Sequence, residues 1–276
     1  MALERRLNEQ SRNTGVSLDR LRRRVVFQRV VARLQAAEPG VWVLKGGMAM
    51  EVRLGDQARL TKDIDLGLRE TIATADDLTD KLVTATGSDP FADRFELVSE
   101  PFAQLMADDA GYLTWRSRVT AVLAGKYFGR VQLDVSPRAY ELRATDRILL
   151  PNALDFAGIM APEIEVIDVH RHAAEKYHAM SRDHGDRENT RVRDLVDVVI
   201  LIESGLLDAA RLRPAVAEVW EERDHTAPPD RFSHPPASWV GPFQKLAAEA
   251  DLEHPELSEA VELTSGLWNS MNTGGT

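Results

Sequence analysis

Apolar positions change their period along this chain. Leu18, Leu21, Val25, Val30, Val31 and Leu34 fall on one helical stripe, with Ser17 placed as its N-cap and Pro39-Gly40 ending the run. Val41 to Leu44 is a short apolar run that predicts a buried strand, Gly46 to Leu54 predicts a helix, and Asp63 to Leu68 alternates as a strand does. Helix is predicted over 73–86 and strand over Phe95 to Val98. Val119 to Gly125 and Val131 to Val135 flank Lys126–Arg130 as a β-hairpin would. From about residue 140 the pattern is mostly helical. Asp168 caps a helix that reaches Ser181, a polar stretch covers Arg182 to Thr190, and helices follow over Arg191 to Glu203 and Leu207 to Arg223. Residues 226–242 hold five prolines and predict a loop, two short helices close the chain, and the final Asn-Thr-Gly-Gly-Thr is expected to fray. The pattern predicts an α+β protein, with strands and helices interleaved in 1–150 and helices in 151–276.

Composition narrows the class. The 276 residues suffice for one large or two small domains, and 43% apolar with 28% charged residues is ordinary for a globular chain. The absence of cysteine excludes disulfides, zinc–thiolate sites and thiol catalysis, and it fits a reducing cytoplasm. No apolar run reaches the roughly 18 residues that span a bilayer, so no membrane partner is expected, and Met1 to Gln10 lacks the apolar core of a secretory signal. The net charge of −10 argues against a general nucleic-acid binder, but it is unevenly spread. Residues 1–35 carry nine arginines against three acids, whereas residues 203–276 carry thirteen acids against five bases. The basic head is either a phosphate-binding face or the solvated side of a helix.

Candidate chemistry starts at Lys45-Gly46-Gly47 and continues fifteen residues on at Thr61-Lys62-Asp63-Ile64-Asp65. Glycine lets a backbone take positive φ and approach a phosphate, and the helix that follows favours an anion at its N-terminus. Alone, a glycine pair is more often a tight turn. No Gly-x-Gly-x-x-Gly and no lysine-serine ending of a P-loop is present. Asp63 and Asp65 point to one face of their strand, roughly 7 Å apart, which suits a metal ion bridging phosphate oxygens or a solvated sheet edge. Asp134, in Val131-Gln132-Leu133-Asp134-Val135, is a third candidate ligand or a strand-end acid.

On the predicted helix from Asp168, Lys176 falls inside the apolar stripe of Val169, Ala173, Tyr177 and Met180. Such a lysine points at a ligand phosphate, pairs with an acid, or snorkels to solvent. Asp194 either pairs with Arg191 on its own helix or orients Lys176 or an arginine. His170, His172, His178 and His184 lack the spacing of a zinc site.

Together these residues resemble one family. Lys45-Gly46-Gly47, Arg53, Arg59, Thr61 and Asp63-Ile64-Asp65 look like the first motif of nucleotidyltransferases of the AbiEii/AbiGii type, toxins of bacterial toxin–antitoxin systems that include the MenT group. Glu175-Lys176 and Arg191-x-Arg193-Asp194-Leu195-x-Asp197 are similar to that family's later motifs, so the resemblance spans about residues 40 to 205. It implies a DNA-polymerase-β-like nucleotidyltransferase core in 1–150 and a helical C-terminal domain in 151–276. It implies that Gly46 and Gly47 hold a triphosphate, with Lys45, Arg59, Thr61, Arg191 and Arg193 as further nucleotide-binding residues. Asp63 and Asp65 would bind Mg²⁺, with Asp134 as a third ligand. Lys176 would contact the triphosphate, and Asp194 would be catalytic or orienting. The implied reaction moves a nucleotide, a pyrimidine in the MenT group, from an NTP to the 3′ acceptor end of tRNA and so blocks aminoacylation. The implied partner is a cognate antitoxin. Two other readings are a nucleotidyltransferase acting on a small cationic molecule such as an aminoglycoside, and a non-catalytic nucleotide- or antitoxin-binding module.

Overall fold

The computed structural model describes residues 2–59, 61, 63–72, 74–106, 113–137, 139–182, 185, 188–232 and 234–273. The chain divides into two compact units, Met1–Val52 with Lys62–Val166, and Arg53–Thr61 with Ile167–Thr276. The first holds α1 (Ala2–Thr14), α2 (Leu18–Ala37), β1 (Trp42–Lys45), most of α3 (Gly46–Leu54), β2 (Asp63–Leu68) and α4 (Ala75–Gly87). It continues with β3 (Phe95–Ser99), β4 (Ala103–Gln104), β5 (Trp115–Leu123), β6 (Lys126–Ser136), β7 (Thr145–Leu149) and β8 (Glu163–Ile167). The strands form one mixed sheet in the order β3-β5-β6-β2-β1-β8-β7, with β4 also paired to β5. At its centre β2 runs parallel to β6 and antiparallel to β1.

Strand alternation gives this sheet two unlike faces. Ile64 pairs with Leu133 and Leu66 with Val135, and all four are buried. Each such side chain contributes roughly 1.5–3 kcal/mol on burial. α2 covers this face, lying so close that a Cβ on Gly129 would stand 3.1 Å from Val26. Asp63, Asp65, Gln132 and Asp134 occupy the alternate positions, on the opposite face.

α2 starts where the sequence places it, with the Ser17 side chain accepting from the Arg20 N–H. Its arginines do not form one solvated face, however. Arg33 is fully buried and donates to Asp93 at 2.7 Å, to the Thr86 carbonyl at 2.8 Å and to the Phe95 carbonyl at 2.7 Å. Arg29 is fully buried as well, 3.8 Å from Asp93 and 3.4 Å from the Asn152 side-chain oxygen. Arg22 pairs with Glu4, Arg23 with Asp19 and Arg24 with Glu51. Of the nine arginines, Arg5, Arg6 and Arg12 are the exposed ones.

Three further expectations change. The hairpin turns at Ala124-Gly125, with φ of 52° and 71°, and Leu123 pairs with Lys126, so Lys126–Arg130 is strand. A two-residue turn with both φ positive matches the twist of the strands it joins, and a glycine supplies half of it without strain. β7 and β8 lie where helix was expected, and Leu44 pairs with Val166, which carries the sheet unit to residue 166 where the sequence pattern suggested a change near 150. A helix, α1, precedes the predicted first one.

The second unit is helical: α5 (Val169–Ser181), α6 (Val192–Glu203), α7 (Ala209–Asp224), α8 (Val240–Ala250) and α9 (Leu257–Thr273). Asp168 caps α5 as expected, accepting from the His170 and Arg171 N–H groups. Tyr177, Trp220, Phe232 and Trp268 form its aromatic core, with ring centroids 5.2 Å apart for Tyr177–Trp268 and 5.5 Å for Trp220–Trp268. The proline-rich stretch ends sooner than predicted, because Pro242 sits in the first turn of α8, where no backbone N–H is needed. Of the tail expected to fray, 272 and 273 belong to α9 and the remainder lies outside the described residues. Among the described residues no helix is long and apolar enough to cross a membrane.

The buried arginines make a first prediction. Asp93→Ala removes the buried acid that Arg33 and Arg29 share, leaving Arg33 only Asp89 at 3.5 Å as an acidic partner, and lowers the free energy of unfolding by about 3–5 kcal/mol. Arg23→Ala, whose partner Asp19 is 73% exposed, changes it by less than about 1 kcal/mol. Urea denaturation of the two variants measures both.

Candidate active site

The sheet unit assembles its polar face by register. Arg116 on β5 lies opposite Asp134 on β6, Asp134 opposite Asp65 on β2, and Asp65 opposite Lys45 on β1. Side chains directly opposite share a face, so these four form a row across four strands, and Asp63 stands two residues along β2 on the same face. The chain leaves β1 at Lys45 and enters α3 at once through Gly46, which has φ of 59°. A Cβ on Gly46 would stand 1.9 Å from Asp65 Oδ2 and 2.6 Å from its Cγ. Glycine is therefore required twice here, by the left-handed backbone and by the carboxylate lying against it. The same contact puts Asp65 beside the N-terminus of α3, where the helix dipole favours an anion. Gly47 is buried in the first turn.

The flanks of the row are held by ion pairs. Lys45 Nζ lies 2.6 Å from Glu141 Oε2, on a short 3₁₀ turn whose Leu142 packs over Gly67. Arg116 grips Asp134 with both ends of its fork, Nε to Oδ1 at 2.8 Å and Nη2 to Oδ2 at 2.7 Å. This bond to Asp134, with the nearby charges of Asp63 and Asp65, holds the Arg116 guanidinium above its ordinary value. Both Asp134 oxygens are thus engaged. Among the described residues no group of three or more His, Cys, Asp or Glu is arranged to hold a metal ion. The Asp63–Asp65 pair nevertheless suits Mg²⁺, a hard cation that takes one or two protein carboxylates and completes its shell with phosphate oxygens and water.

The helical unit holds the second polar group. Lys176 is buried within the apolar stripe, as its position in α5 predicts, and it pairs with acids rather than snorkelling out. Its Nζ lies 2.5 Å from Asp197 Oδ2 and 3.1 Å from Asp194 Oδ1. Arg59 completes the group with a two-pronged contact to Asp197, at 2.7 and 3.0 Å. Burial opposes the Lys176 charge, but Asp197 and Asp194 outweigh it and hold the ammonium above its ordinary value. Burial likewise opposes the Asp197 charge, and Lys176 and Arg59 hold that carboxyl below the usual range.

The remaining expected residues are dispersed within this unit. Arg191 is exposed and lies 3.5 Å from Asp194, Arg193 is exposed on α6, and Thr61 is half-buried. Lys62 and His184 lie outside the described residues. His170 Nε2 accepts from the Asp208 N–H, and His178 pairs with Asp224 at 2.9 Å. The sequence reading did not single out Arg116 or Glu141, and it named Asp197 only as the last residue of the motif that begins at Arg191. Asp197 had a signal, since it interrupts the apolar run Leu195–Ile202 and is fully buried. Arg116 and Glu141 had none, because strand register alone brings Arg116 to Asp134 and a long connection brings Glu141 to Lys45.

Two predictions follow from this geometry. Gly46→Ala drives a Cβ into the Asp65 carboxylate and lowers the melting temperature by more than Gly55→Ala, which is also at positive φ but has open space around it and costs only the roughly 1–2 kcal/mol of backbone strain. Thermal melting of the two variants separates them. Lys176→Met leaves Asp197 under-compensated and destabilises the fold by about 3–5 kcal/mol. The sign of the pH dependence follows. The lowered Asp197 value gives stability that is lost only in acid, and the raised Lys176 value gives stability that is lost only in strong base. Urea midpoints of wild type and Lys176→Met therefore differ by a constant amount through the neutral range.

The fold has counterparts among solved structures. MenT4, a nucleotidyltransferase toxin from Mycobacterium tuberculosis H37Rv, superposes with a TM-score of 0.56 at 18% identity, over 97% of this chain and 98% of that one. A putative nucleotidyltransferase from H. pylori superposes with a TM-score of 0.51 at 15% identity, over 95% of this chain and all of its own. These likenesses establish the nucleotidyltransferase fold. No curated protein matches the sequence. The sequence model described as "Nucleotidyl transferase AbiEii toxin, Type IV TA system" matches residues 29–272, nearly the whole chain. The chain belongs to the AbiEii family of nucleotidyltransferase toxins of type IV toxin–antitoxin systems.

Proposed function

We propose that this chain is a Mg²⁺-dependent enzyme that transfers a pyrimidine nucleotide from an NTP to the 3′ acceptor end of tRNA, which blocks aminoacylation and stops translation. The observation that carries the reading is the Asp65 carboxylate seated against Gly46 at the N-terminus of α3, with Asp63 beside it on one strand face. A phosphate-accepting backbone and a cation-accepting pair are thereby built from two adjacent strands. The family supplies the reaction class, and the tRNA acceptor and the pyrimidine come from the resemblance to the MenT group.

The chemistry assigns each group a task. Attack of an RNA 3′-hydroxyl on the α-phosphorus forms one P–O bond and breaks another, releasing pyrophosphate. Asp63 and Asp65 would hold Mg²⁺, which supplies positive charge to the triphosphate oxygens. Gly46 and Gly47 let phosphate oxygens approach backbone N–H groups at a helix N-terminus. Lys45, fixed by Glu141, adds a cation at the end of the same row. Lys176 and Asp194 have the catalytic roles that the resemblance gives them, with Arg59, Thr61, Arg191 and Arg193 as nucleotide-binding residues. A cognate antitoxin is the protein partner, and the acidic residues after 203 suit a basic one.

Incubation with each radiolabelled NTP, Mg²⁺ and total tRNA tests the proposal. CTP or UTP is expected to label tRNA 3′ ends well above ATP or GTP. Asp65→Asn is expected to abolish labelling, and Lys176→Ala to remove most of it in protein that keeps its circular dichroism. An unlabelled RNA pool under all four nucleotides overturns the tRNA assignment.

A further inference from the structure

We infer that Arg116 is a triphosphate-binding residue of this site and that Asp134 positions it, rather than acting as a metal ligand. The inference rests on the nucleotidyltransferase reading above. Asp134 stands in register with Asp65, so strand position alone makes it look like a third member of a carboxylate cluster. Its surroundings give it another task. Both of its oxygens accept from Arg116, at 2.8 and 2.7 Å, in the side-by-side geometry that matches a guanidinium fork to a carboxylate. The fork takes one lone pair on each Asp134 oxygen and sets a positive charge against the carboxylate, which disfavours a second cation there.

The exposures run in the same sense. Asp134 is the covered partner, at 16%, and Arg116 the open one, at 37%. A guanidinium held through Nε and Nη2 keeps its Nη1 amino group and one Nη2 hydrogen for a second anion. The backbone beneath is rigid, since β5 and β6 pair continuously from Trp115↔Val135 to Val119↔Val131 around the Arg116–Asp134 pair. An arginine fixed in this way loses little conformational freedom when it binds a phosphate. Its place also answers an electrostatic need. Asp63 and Asp65 act on Arg116 through their charges, so the guanidinium lies on the flank of the pair that would otherwise repel a triphosphate. Lys45 closes the same row at its other end.

The test measures cation and nucleotide binding separately on the full chain. Mn²⁺ binding is followed by electron paramagnetic resonance without nucleotide, and CTP binding by calorimetry with Mn²⁺ saturating. Arg116→Gln and Asp134→Asn are each expected to weaken CTP binding on the order of tenfold while leaving Mn²⁺ binding within about twofold. The double variant is expected to be no weaker than Arg116→Gln alone, because one interaction underlies both effects. Arg116→Lys, which keeps the charge but loses the fork, is expected to retain part of the affinity. Melting curves confirm that each variant is folded. The assignment is overturned if Asp134→Asn weakens Mn²⁺ binding as much as Asp65→Asn does, or if folded Arg116→Gln binds CTP like wild type. If Asp65→Asn changes neither Mn²⁺ nor CTP binding, the nucleotidyltransferase reading itself fails, and the role of Arg116 fails with it.

Discussion

A carboxylate pressed against a glycine organises the sheet unit. Asp65 occupies the space that any side chain at position 46 would need, and Gly46 takes a left-handed φ so that the chain passes from β1 into α3 without an intervening loop. The arrangement fixes the start of α3 and the side of β2 that carries Asp63 and Asp65. Slipping β2 by one residue would send both acids into the apolar layer beneath α2 and bring Ile64 and Leu66 out. The burial of Ile64, Leu66, Leu133 and Val135 therefore holds the acids in place. The polar face is a consequence of the apolar one.

Buried charge recurs in both units, and in each it is compensated locally. Arg33 finds Asp93 and two carbonyls, and Lys176 finds Asp197 and Asp194, with Arg59 also bound to Asp197. Such groups add little net stability, because desolvation offsets most of the attraction, but removing one partner is costly. They specify where elements lie. Arg33 ties α2 to the segment between α4 and β3, and Lys176 ties α5 to α6. The arginine-rich head, which by composition alone resembles a nucleic-acid arm, is largely spent on this internal work.

Several parts of the molecule are legible in the sequence alone. The spans of α3 and β2 and the caps of α2 and α5 follow from short-range rules: Ser17 and Asp168 accept from N–H groups two or three residues ahead, and Asp63 to Leu68 alternates. The motif Lys45-Gly46-Gly47 with Asp63-Ile64-Asp65 was visible because its residues are out of character for their elements. Lys176 stood out for the same reason, as a cation on an apolar line. Less legible were β8, which joins the sheet beside the distant β1, β7, which pairs at the edge beyond it, and the hairpin turn, where Ala124 shares with Gly125 a conformation that its side chain disfavours.

The amino-acid sequence by itself determined the elements and the residue types that the chemistry needs, since helix period, strand alternation and capping are set by neighbours within a few positions. It determined the family too, through the order of its motifs. Tertiary structure decided which charges meet. Asp134 belongs to Arg116, Lys45 to Glu141 and Asp197 to both Lys176 and Arg59. Those partners lie from 18 to 138 residues apart in the chain. Local rules carry no information at that range, because the register of non-adjacent strands and the packing of helices are set by the burial of the apolar core as a whole.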